Sequence, residues 1–184
     1  MRQFIISILL LILAVSGCKK NDPIIPNEEE VITTIRYTLT TQVGTSPVIF
    51  EFRDIDGDGG LPPVYTESDL KPNTTYEGRL ELLNEQETPA GDITEEITEE
   101  GEAHQFFFQP SSGLNMSITY KDKDRSDRPI GLLTTIVTGA SGTGQLKITL
   151  RHEPNKSAPG VADGQIAQAG GETDIEIEFV IHVQ

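Results

Sequence analysis

The chain has 184 residues, with 29 acidic against 14 basic side chains and a formal charge of -15. A field of that sign repels phosphate backbones and anionic lipid surfaces, which argues against nucleic acid as a partner and against membrane binding through a basic patch. The single cysteine, Cys18, excludes intrachain disulfides, CxxC redox chemistry and thiolate zinc sites, so packing must hold the fold.

In chain order, residues 1–17 read as a signal peptide. Arg2 gives the positive start, and the apolar run 4–15 falls well short of the roughly 20 residues needed to span a bilayer. The tetrad Val15-Ser16-Gly17-Cys18 resembles the lipobox of bacterial lipoproteins. That resemblance implies cleavage before Cys18, lipidation of its sulfur and a stable anchor from several acyl chains. Lys19 stands where an aspartate resembles a signal for inner-membrane retention, which favours the outer membrane and leaves the leaflet open. Residues 18–30, with Pro23, Pro26 and the glutamates 28–30, form a lipidated cysteine and a flexible acidic tether that cannot bury itself.

Residues 31–184 are predicted to form one domain. Period-2 alternation places Val31, Ile35, Tyr37 and Leu39 on one face of a first strand, then Val48, Phe50 and Phe52, then Tyr76, Leu80 and Leu82. Phe106 and Phe108 follow, then Leu114, Met116, Ile118 and Tyr120, then an apolar run at 132–137. The last two strands bury Leu146, Ile148 and Leu150, and Ile175, Ile177, Phe179, Ile181 and Val183. Between them, Asp92 and Glu95 make a capping box for a short helix closed by Gly101. About eight strands and one helix predict an all-β antiparallel sandwich of immunoglobulin-like type, with a closed β-barrel as the competing architecture.

Two constellations carry candidate chemistry. In the turn 53–60 the carboxylates of Asp54, Asp56 and Asp58 alternate ahead of Gly59, a pattern that can converge on calcium. It resembles the first half of an EF-hand loop, but Tyr65 stands where the bidentate glutamate belongs, and Pro62 and Pro63 replace the exiting helix. A plain Asp/Gly turn, with aspartates capping their own backbone, explains the same residues. Second, His104 shares a face with Phe106 and Phe108, and His152 ends the face of Leu146, Ile148 and Leu150. Both therefore point toward one end of the core, and with Glu153, or with Glu100 or Glu102, they make an imidazole–carboxylate set suited to a borderline transition metal. Structural histidines satisfied by neighbours are the alternative. His182, beside Glu176 and Glu178, reads as a surface residue paired with glutamate, and the glutamates at 95–102 as a solvated helix face.

No nucleophile elbow, HExxH motif or conspicuous Ser/His/Asp spacing is present, so a non-catalytic role is expected. Residues 27–34, the turn 54–60, residues 92–97, His104-Gln105-Phe106-Phe107, residues 150–156 and residues 170–174 together resemble a group of small Bacteroidota lipoproteins. Its members often carry the label "type 1 periplasmic-binding fold". The resemblance implies an envelope location and no particular activity, and the period-2 pattern predicts a sandwich in place of the repeated βα units of that label. The expected roles are a ligand- or metal-binding accessory module near a transporter, or a structural and adhesive domain that contacts other envelope components.

Overall fold

The computed structural model describes residues 30–42, 46–57 and 60–184. The lipobox with Cys18, most of the tether and Asp58 lie outside the described residues. The chain is an all-β sandwich of two sheets, with no closed barrel among the described residues. One sheet is built from β1 (Thr34–Thr40), β2 (Val48–Arg53), β3 (Val64–Thr66), β5 (Thr75–Asn84), β6 (Gly91–Asp92), β8 (Met116–Tyr120) and β9 (Leu133–Thr138). The other is built from β4 (Asp69–Leu70), β7 (His104–Pro110), β10 (Gly142–His152) and β11 (Glu172–Val183). The orders are β3-β2-β1-β5-β9-β8, with β6 on β5, and β4-β11-β10-β7. Every pairing is antiparallel except the short β4–β11 contact.

The apolar faces read from alternation meet between the sheets. Ile35, Tyr37, Leu39, Phe50, Leu80 and Leu82 from one sheet pack on Phe106, Leu146, Ile148, Leu150, Phe179 and Ile181 from the other. Burial of every second side chain on both inner faces supplies the driving force that a chain without disulfides needs. Three expectations are corrected. Val31 precedes β1 and is exposed, and Val137 within the apolar run 132–137 also faces solvent. The third correction concerns β7, where His104, Gln105, Phe106 and Phe107 are all buried, because the loop between β10 and β11 lays Val161 and Ala169 over the outer face at Phe107.

The short helix α1 (Ile93–Glu99) forms where the capping box placed it. The Asp92 side chain accepts from the Glu95 amide, and Ile93 and Ile97 turn inward. Its C-cap is Glu100 and not Gly101. The loop after β10 is fastened from below by Lys156, whose ammonium is almost wholly buried. It donates to Asp124 Oδ2 at 2.8 Å, to the Pro129 carbonyl at 2.9 Å and to the Gly101 carbonyl.

Candidate functional site

At the pole of the sandwich where β1 and β7 begin and β10 ends, four ligand-type side chains converge. They are Glu30, His104, His152 and Asp174, and their ligand atoms all lie within 4.8 Å of one another. Among the described residues this is the group of histidines and carboxylates that could hold a metal ion.

Each arrives by a distinct local device. His104 is the first residue of β7 and His152 the last of β10, and the antiparallel register sets them directly opposite each other. Their rings meet edge to face, with His152 Nδ1 3.0 Å from His104 Nε2. Asp174 owes its place to a β-bulge. Leu150 pairs with Ile175 but Arg151 pairs with Thr173, so Asp174 is the extra residue of β11. Strict alternation from Ile177 and Ile175 would send residue 174 to the outer face, and the bulge re-aims it inward. Its side chain is only 3% exposed, with oxygens 3.8 Å from His104 Nε2 and 3.9 Å from His152 Nδ1. Glu30 comes from the chain just ahead of β1, and its Oε1 sits 3.0 Å from His104 Nε2 with the side chain 8% exposed. The last residue of the expected tether is therefore packed into the sandwich.

Hydrogen-bond accounting makes this cluster unusual. His104 is fully buried, and its Nδ1 lies 3.2 Å from the Glu100 carbonyl, which can only accept, so the Nδ1 proton goes there. Nε2 of the neutral ring then carries a lone pair that can accept from His152 Nδ1 but also faces the Glu30 carboxylate. A lone pair against a carboxylate at 3.0 Å is stable only when a proton or a cation lies between them. A backbone carbonyl on the far nitrogen is also the arrangement that orients metal-bound histidines. The other Glu30 oxygen, Oε2, is buried with no hydrogen-bond partner. Tetrahedral coordination at the usual zinc–nitrogen and zinc–oxygen lengths needs ligand atoms about 3.3–3.5 Å apart; the ligand atoms here lie within 4.8 Å of one another, so small side-chain shifts would close them on an ion.

Without metal, protons must serve. Hydrogen bonding to His104 is the main reason the Glu30 carboxyl is held below its ordinary value, against its own burial. Burial pushes the His104 imidazolium down, but the hydrogen bond and charge of Glu30, the Glu100 carbonyl and Asp174 outweigh it and leave the ring above its ordinary value. The Glu30 contribution to stability is present above pH 4.5 and is lost as pH falls through its lowered folded value. The His104 contribution is complete below pH 6.5 and is lost as pH rises through its raised folded value. Metal-free protein in chelator is therefore expected to draw most from this pair between pH 4.5 and 6.5, as melting temperatures across that range can test. Zinc should reverse the trend, its stabilisation growing as pH rises and the imidazoles give up their protons.

The remaining sequence-predicted residues fall elsewhere. Glu153, expected as the carboxylate partner, is exposed and outside the group; its backbone takes a positive φ of 49° as the chain leaves β10. Glu100 contributes its backbone carbonyl only, and Glu102 accepts from Ser126. In the 53–60 turn, Asp54 accepts from the Gly57 amide at 3.0 Å and Asp56 from the Leu61 amide at 2.8 Å, the self-capping arrangement of an Asp/Gly turn. His182 bonds Thr143 across the strand pair where a glutamate was expected. A surface hollow of about 500 Å³ along β8, beside Tyr120 and Lys123, does not include the cluster.

Compared with known proteins, the chain matches no family model, no curated protein and no solved structure.

Proposed function

We propose that this chain is a lipid-tethered, non-catalytic envelope protein whose sandwich holds one borderline transition-metal ion between His104, His152, Asp174 and Glu30. The observation that carries the reading is the buried meeting of two imidazoles and two carboxylates, with their ligand atoms all within 4.8 Å of one another. Two nitrogens and two carboxylates suit zinc, iron or copper, whereas calcium seeks six to eight oxygens. Four protein ligands leave no position open for a reacting water, which makes the ion a binding or bracing element and not a catalyst. The lipobox, the acid-rich tether and the resemblance to Bacteroidota lipoproteins support the outer membrane as the location, and the excess negative charge favours capture of cations.

Calorimetric titration of the purified chain with zinc should give one equivalent bound, with calcium and magnesium silent. At a zinc concentration a hundredfold above the dissociation constant, binding stabilises the fold by about 2.7 kcal/mol. His152→Ala, which alters the most accessible of the four ligands, should remove both effects. Absence of binding for zinc, iron and copper alike would reject the reading.

A second reading, adhesion through a sheet edge, draws on β3, whose three residues, among them Val64 at 64%, are all exposed beside Leu61 at 77%. Recovery of one envelope protein from solubilised membranes in chelator, lost on Leu61→Asp, would favour it.

A further inference from the structure

Three of the four ligands stand on adjoining strands of one sheet, β7, β10 and β11, and are fixed by its register. Glu30 does not. It lies four residues before β1, and the first backbone hydrogen bond tying its segment to a neighbouring strand, among the described residues, runs from the Thr33 amide to the Leu83 carbonyl. Its side chain is nevertheless driven into the pole of the sandwich, with one carboxylate oxygen on His104 and the other buried without a partner. Burying a carboxylate with one oxygen unsatisfied is costly unless something positive reaches it. The three strand-borne ligands are thus a preformed cradle, and Glu30 is a fourth ligand delivered by a separate segment.

We propose that the cation is a latch: by drawing Glu30 onto the His104–His152–Asp174 cradle it fixes the point at which the N-terminal stretch joins the sandwich. The inference rests on the metal reading above and deepens it. With the ion bound, residues 30–32 are held to the sheet that carries the cradle while β1 holds residues 34–40 to the other sheet, so the ion also ties the two layers together at this pole.

Hydrogen exchange on the full chain in detergent, with zinc or with chelator, reads the latch directly. Zinc should slow exchange of the Val31 and Ile32 amides about tenfold or more, beyond any slowing in β5, which belongs to the fold at large. Glu30→Gln should still bind zinc through the cradle, with affinity reduced by at least the roughly tenfold that altered metal surroundings commonly cost, and should lose the added protection at 31–32. Zinc bound by the wild-type chain with no change at 31–32, or bound equally well by Glu30→Gln, overturns the latch and leaves the metal site standing. No zinc, iron or copper bound at all overturns both.

Discussion

Lys156→Ala is expected to lower stability by about 3–5 kcal/mol, the cost of breaking a buried ion pair from one side. The Lys156 and Asp124 side chains are 6% and 1% exposed, and the ammonium serves Asp124 and two backbone carbonyls, at Gly101 and Pro129, that lie in separate loops. Burial pushes the ammonium below its ordinary value, against the pull of Asp124, so both members depend on each other for their charge. Burial likewise works to raise the Asp124 carboxyl, but Lys156 and the amides of Arg128 and Ser126 more than offset it. Urea unfolding of Lys156→Ala, Asp124→Ala and the double variant is the check. The double variant should lose much less than the two single losses combined, whereas additive losses would mean that the pair carries no coupling. Gly101 lies three residues before His104 and its carbonyl accepts from the His104 amide, so the variant should weaken zinc binding as well.

Gly171→Ala should cost a comparable amount by a different route. Gly171 has φ +69°, and a β-carbon there would come 2.1 Å from the carbonyl oxygen of His152 and 3.0 Å from the Glu153 backbone. Backbone atoms cannot swing aside as a side-chain tip can. Left-handed strain of about 1–2 kcal/mol therefore adds to an overpacking cost of about 1–3 kcal/mol. The clash falls on His152, one of the proposed ligands, so the expected signature is loss of zinc affinity together with a lower melting temperature. Gly170→Ala, at φ +60° with open space around it, serves as the control: it carries the strain alone and should leave zinc affinity intact.

The strands were readable from sequence because a half-buried sheet imposes a period of two, and Ile35, Tyr37 and Leu39 or Phe179, Ile181 and Val183 obey it without interruption. The same rule placed His104 and His152 on inner faces at one end. It could not find their partners. Asp174 sits where a bulge breaks the period, and the only local sign is the pair Gly170-Gly171, whose positive φ values turn the chain into β11 just before it. Glu30 was hidden by composition: the third of three consecutive glutamates after a proline-rich stretch reads as solvated charge, and only its tertiary contact with His104 reveals it. The burial of Phe107 was hidden for a related reason. Alternation assigns it to the open face of the sheet, and nothing local announces that a loop many residues later will roof it.

The cluster and the entry of the chain share one end of the sandwich, while β1, β7 and β9 finish, and β10 starts, at the other. β11 alone, Glu172–Val183, runs about 40 Å between them at the usual rise per residue. For a molecule moored by its N terminus, this gives a fixed polarity. Under the proposed anchoring at Cys18, the end that carries His104 and His152 would face the bilayer. At the opposite end lie the turns following Pro110 and Thr138 together with the exposed His182, far from His104 and His152.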